Sequence, residues 1–83
     1  LFNPFPNPFN PSTKVVFDLP EKSYVLIKLY IITGEEVLTI VNERVDAGRH
    51  SFLIDGNGLS SGVYLLRMIS NNFVSAKKII MMK

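Results

Sequence analysis

The sequence of 83 residues has no cysteine and no tryptophan, and His50 is its single histidine. Without cysteine there is no disulfide, no thiolate metal site and no cysteine nucleophile. Charge of one sign is also scarce: nine Lys and Arg stand against seven Asp and Glu, a net charge of +2. Only Lys77 and Lys78 are adjacent, so the basic stripe that marks a nucleic-acid footprint is missing. No apolar run approaches the ~20 residues that a membrane-spanning helix requires. There is no initiator Met and no signal peptide, so the chain is expected to be a piece of a longer one. A sustained helical period is lacking as well. The one tempting window, 35–43, holds the β-branched Thr39, Ile40 and Val41 and has no cap before it.

What remains is a chain in which 47% of residues are hydrophobic, enough for one small core and too apolar for disorder. Four of the five prolines fall in the first eleven residues, as Pro4, Pro6, Pro8 and Pro11. Each fixes its own φ and extends the residue before it. Asn3, Asn7 and Asn10 precede prolines, which favours Asx turns, and Phe2, Phe5 and Phe9 are interleaved. Residues 1–12 are therefore expected to form an extended lead-in whose rings dock on the domain; a polyproline spacer is the alternative.

From Thr13 to Lys83 the signals are strands and turns. Val15, Phe17 and Leu19 alternate with Lys14, Val16 and Asp18 until Pro20 closes the run. Val25, Ile27, Leu29 and Ile31 alternate with Leu26, Lys28 and Tyr30. Thr33-Gly34-Glu35 is a turn, and 36–41 follows with Val37 and Ile40 as core candidates. After the polar stretch 42–44, Asp46-Ala47-Gly48 turns again, and His50, Phe52 and Ile54 alternate with Arg49, Ser51 and Leu53. Asp55-Gly56-Asn57-Gly58 and Ser60-Ser61-Gly62 are dense turn signals. In 63–70, Arg67 shares a face with Val63, so Tyr64, Leu66 and Met68 point inward. Asn71-Asn72 fits a two-residue hairpin turn, and 73–82 is the last strand. Six short strands and an extended lead-in predict an all-β, immunoglobulin-like antiparallel β-sandwich of about seven strands, with three or four in each sheet.

The chemical inventory is thin. His50 could serve a Ser-His-Asp arrangement, but its register with Phe52 and Ile54 reads as a core or strand-edge residue. Ser60-Ser61-Gly62 lacks the Gly-x-Ser-x-Gly frame of a nucleophile elbow. Glu35-Glu36 is a solvated turn pair. Asp55-Gly56-Asn57-Gly58 opens like a calcium loop, yet Leu59 and Leu66 stand at its fifth and twelfth positions, where oxygen ligands are needed. No catalytic residue, metal site or cofactor is expected. A sugar-binding appendage would gather Tyr24, Tyr30 or Phe73 in solvent. The ending Lys77-Lys78-Ile79-Ile80-Met81-Met82-Lys83 has two readings: lysines that discourage edge pairing, or a terminal strand that a partner takes up by strand addition.

At Pro6-Asn7-Pro8-Phe9-Asn10-Pro11-Ser12-Thr13 the chain closely resembles the type A C-terminal sorting domain of proteins exported by the type IX secretion system in Bacteroidetes and their relatives. The similarity continues in order through Val15-Val16-Phe17-Asp18-Leu19-Pro20, Gly34-Glu35-Glu36-Val37, Ala47-Gly48-Arg49-His50, Asp55-Gly56, Leu59-Ser60-Ser61-Gly62-Val63-Tyr64 and Lys78-Ile79-Ile80. It departs at Ile54, where many relatives have Trp, at Phe5, where Tyr is commoner, and at Ile31-Ile32, where a more polar pair is usual. The immunoglobulin-like domain of the flagellar hook-capping protein is related.

The resemblance implies a non-catalytic address label fused behind a cargo. Its implied partners are outer-membrane translocon and shuttle proteins and a surface cysteine peptidase of sortase-like action. Its implied route is the periplasm, then the cell surface or the medium. Carried over residue by residue, recognition falls on Gly62, Val63, Tyr64, Lys78 and Lys83, and the structural motifs on Pro6, Asn7, Pro8, Phe9, Asn10, Pro11, Ser12, Gly48, Asp55 and Gly56. The chain is expected to be monomeric. The competing expectation is a structural or binding sandwich: hook-cap-like, carbohydrate-binding, or self-assembling by strand addition.

Overall fold

Alternation of apolar and polar residues becomes six strands: β1 (Ser12–Leu19), β2 (Ser23–Ile31), β3 (Glu36–Val45), β4 (Gly48–Asp55), β5 (Gly62–Ser70) and β6 (Phe73–Met81). The computed structural model describes residues 1–4, 12–71 and 73–82. Pro6, Asn7, Pro8, Phe9, Asn10, Pro11 and Lys83 lie outside the described residues, as do Phe5 and Asn72. All pairings are antiparallel, in a four-stranded sheet of order β3-β2-β5-β6 and a two-stranded sheet of β1 and β4.

Among the described residues the strands number six rather than about seven, and the sheets are unequal, two and four rather than three or four each. The lead-in accounts for the difference. The Phe2 amide N–H donates to the Val16 carbonyl at 3.0 Å, which lays residues 1–4 beside β1 through a single bond. Leu1 packs against the core, and Pro4 is buried. Phe2 itself is 46% exposed, with the Arg49 guanidinium 5.0 Å over its ring. Ser12, the expected last residue of the lead-in, opens β1.

Two inner faces meet in the core. Val15, Phe17 and Ile54 come from the small sheet, and Val25, Ile27, Leu29, Leu66, Met68, Ile79 and Met81 from the large one. Sheets with one buried face show this clean period of two, and β1, β2 and β5 follow it. β3 does not. It runs unbroken through the polar stretch to Val45, and its pairing with β2 shifts between Ile27 and Lys28 and again between Leu29 and Tyr30. Ile40 and Val37 are the residues left without an opposite number. Each is the extra residue of a bulge, which bends the strand and disrupts the alternation. Val37 and Ile40, expected in the core, are therefore only half-buried, and Val41 and Val45 are the fully buried residues of β3.

The connections define two ends. At one, Leu19, Ser23, Val45, Gly48, Ser70 and Phe73 gather; at the other, Ser12, Ile31, Asp55, Gly62 and Met81. At the first end Ser70 faces Phe73 across a two-residue loop, and Asn71 takes φ 49°, as the first position of a type I′ turn demands. The Asn71 side-chain amide donates to the Ser23 hydroxyl at 3.0 Å, and that hydroxyl donates to the Glu21 carbonyl at 3.0 Å. This pair of bonds ties the β1–β2 and β5–β6 turns together.

Candidate functional site

The exposed members of the expected recognition set sit on β5 and β6, near the Gly62 end. Gly62 faces Met81, Val63 faces Ile80, Tyr64 faces Ile79 and Leu65 faces Lys78. Residues directly opposite share a face of the sheet. Val63, Ile80, Leu65 and Lys78 thus point outward, while Tyr64 and Ile79 point into the core.

Each residue is held there for a local reason. Gly62 has φ 154°, a backbone L side chains rarely adopt, with nothing within 4 Å of where a Cβ would stand. Any side chain would cost roughly 1–3 kcal/mol in backbone strain alone, without a clash. Gly48, which opens β4, is similar at φ 118°. Tyr64 is 5% exposed, and its hydroxyl donates to the Ser60 carbonyl. A buried tyrosine needs such a partner, and here the bond closes the loop from β4 back onto β5. Asp55 forms an Asx turn in the same loop: its carboxylate accepts the Asn57 amide N–H at 3.0 Å, and Leu59 N–H donates to the Gly56 carbonyl at 2.9 Å. That oxygen thus closes the turn after β4. Lys83 lies outside the described residues, and Gly48 lies at the opposite end of the sandwich.

His50 faces Phe17 in the β1–β4 pairing, with ring centroids 5.8 Å apart. One ring nitrogen is 2.7 Å from the Asp46 carbonyl, the setting of a strand-edge histidine. Among the described residues no three His, Asp or Glu side chains gather as a metal site. A cleft of about 530 Å³ opens at the other end, between Leu19, Glu21, Ser70 and Phe73, away from the residues expected to carry recognition. The three aromatics of a sugar platform do not meet. Tyr24 and Tyr30 lie six residues apart on β2, roughly 20 Å, and Phe73 faces Ser70 on the inner side of the sheet.

Each outer face carries an exposed ion pair. On the small sheet Arg49 reaches Asp18 through Nε at 2.8 Å and through Nη2 at 3.1 Å. That bidentate bond holds the Asp18 carboxyl below the usual carboxylate range, with a minor contribution from the Leu1 amino group, and raises Arg49. On the large sheet Lys28 Nζ lies 2.7 Å from Glu36 Oε1, and Thr39 donates to Glu36 Oε2 at 3.1 Å. The Lys28 bond, then the Thr39 bond, lowers the Glu36 carboxyl.

The signal that the sequence did not give is the outward apolar set beside Val63. Leu65 is 41% exposed, Val74 57% and Ile80 37%. Alternation marks these as outward positions, but apolar residues there read simply as strand formers. The model of the secretion system C-terminal sorting domain family matches residues 3–82. Neither a curated protein nor a solved structure matches the chain.

Proposed function

Because the chain belongs to the family of secretion system C-terminal sorting domains and carries the sorting signal of type IX secretion, we propose that it is read as a folded address label at the Gly62 end of its large sheet. The label engages the secretion machinery on behalf of a cargo fused on its N-terminal side. The machinery's parts are proposed as an outer-membrane translocon and shuttle proteins, reached from the periplasm, with a surface cysteine peptidase that removes the label. Val63 and Lys78 are proposed as contact residues, and Lys83 as a further one. Gly62 and Tyr64 set the frame: the glycine admits the backbone that starts β5, and the tyrosine ties that start to Ser60 from inside.

The observation that carries this reading is the family match over nearly the whole chain. It is supported by the convergence of Gly62, Val63 and Lys78 on one corner of a sheet whose side chains stand in solvent.

An export assay tests it. The 83 residues are fused behind a fluorescent protein with a Sec signal in a type IX-competent bacterium. Deleting 79–83 also removes Ile79 and Met81 from the core, so Lys78→Glu, at an exposed position, is run beside the deletion. The expected result is surface or medium delivery of the parent fusion and periplasmic retention of both variants, with Lys78→Glu still folded. Periplasmic retention of a folded parent fusion would overturn the reading.

A further inference from the structure

The outer face of the large sheet is arranged in rows across β2, β5 and β6. Leu26, Ile69 and Val74 form one row; Lys28, Arg67 and Ala76 the next; Tyr30, Leu65 and Lys78 the third; Val63 and Ile80 the last. A diagonal of three cations, Lys28, Arg67 and Lys78, thus runs between two apolar rows. Lys28 and Arg67 are direct cross-strand neighbours, an arrangement that is unfavourable between like charges in the isolated sheet. Glu36 offsets Lys28. Arg67 is exposed and has no carboxylate partner among the described residues. Val63, Leu65 and Ile80 on one side of the cations and Val74 on the other are open to solvent, and exposed apolar area on one face of a small domain marks a contact surface.

The other surfaces are built differently. The outer face of the small sheet carries the exposed Leu53 among Lys14, Asp18, Arg49 and Ser51, with its Asp18–Arg49 charges already paired. The edges of the large sheet are guarded. Lys77 faces Leu66 on the inner side of β6, and Glu43 faces Val25 on the inner side of β3. Inward-pointing charges on edge strands, and the two bulges of β3, discourage strand addition.

From these rows we infer that the domain docks through the outer face of the β2-β5-β6 sheet, not through a strand edge, onto a protein surface that presents carboxylates between apolar side chains, with Arg67 at the centre of the contact. This rests on the sorting function and names the chemistry of its partner. A carboxylate over Arg67 relieves the Lys28–Arg67 repulsion and pairs with a bidentate fork, while the flanking rows bury apolar area. Neither Arg67 nor Leu65 belongs to the residues that the family resemblance singles out.

The test is the export assay with Arg67→Glu, Arg67→Lys and, as a control of equal charge change on the small sheet, Lys14→Glu, each checked by thermal melting. A photo-crosslinking side chain is also placed at Leu65 and, separately, at Leu53 on the small sheet. Arg67→Glu is expected to reduce surface delivery by about tenfold or more, since apposed like charges strongly disfavour a contact. Arg67→Lys, which keeps the charge and loses the fork, falls between Arg67→Glu and the parent, and Lys14→Glu stays near the parent level. Leu65 is expected to crosslink to a protein segment rich in Asp or Glu and apolar residues, and Leu53 not to. Parent-level export of Arg67→Glu overturns the docking face while leaving the sorting function standing. Adducts to lipid, or to a second copy of the chain, overturn it as well. Periplasmic retention of the folded parent overturns the sorting function, and the docking face with it.

Discussion

Tyr64 does its work from inside the fold. Its ring lies in the core, and only its hydroxyl reaches a polar partner, the Ser60 carbonyl. Tyr64→Phe deletes that one bond and leaves the ring. A buried hydrogen bond is worth about 0.5–1.5 kcal/mol net, so the variant is expected to melt roughly 4–8 °C lower per kcal/mol lost in a domain of this size. Scanning calorimetry of parent and variant checks this. An unchanged midpoint would mean that the Ser60 carbonyl finds another donor. Tyr64 was legible as inward-facing, because Arg67 sits on the Val63 face and a strand alternates. The partner was not legible, since nothing in a sequence says that a tyrosine hydroxyl will turn back to a loop carbonyl four residues earlier.

Among the elements, β2 and β5 could be read almost residue by residue, because two flanking strands and one buried face enforce the period of two. β3 could not. It lies at the edge, and the extra residues Val37 and Ile40 shift its pairing with β2, so the periodicity of its sequence is not that of a regular strand. β6 is the other edge and pairs in unbroken register from Gly62–Met81 to Ser70–Phe73. It has no bulge to spoil its free side. The half-buried Lys77 on its inner side takes that role, which favours the edge-guarding reading of the terminal lysines. Lys77→Ile is expected to leave the domain folded and to make it associate as concentration rises. Sedimentation velocity across a hundredfold concentration range reads this out. Equal sedimentation of variant and parent would show that the charge does not guard the edge.

At the scale of the whole molecule, the division into two and four strands was hidden because it depends on long-range pairings. β1 finds β4 and β2 finds β5 across intervening strands, and local pattern carries no record of such partners. Each outer face carries an exposed ion pair, Asp18–Arg49 on the small sheet and Lys28–Glu36 on the large one. Both carboxyls sit below their ordinary values. A group lowered in the folded state contributes stability above its unfolded value and loses it as pH falls through the folded one. The melting temperature is therefore expected to be flat near neutrality and to fall as pH drops through and below the ordinary carboxylate range. The Asp18→Asn, Glu36→Gln double variant should show a shallower fall over the same window. Exposure keeps the effect small, and added salt should shrink it further.

The lead-in meets β1 at Val16, with Phe2 beneath Arg49, the partner of Asp18. Asp18 lies six residues along β1 from Ser12, a run of roughly 20 Å, and Ser12 shares its end of the sandwich with Gly62. The Arg49–Asp18 pair over Phe2 thus lies about that far from the end where Val63 and Lys78 stand. In physiological salt, fields from exposed charges fade over about 8 Å. The spacing exceeds two such lengths, so the charges of the Arg49–Asp18 pair leave the electrostatic landscape at the Gly62 end unchanged. The two ends of the sandwich are in this sense electrically independent, and a charge change at one is not felt at the other.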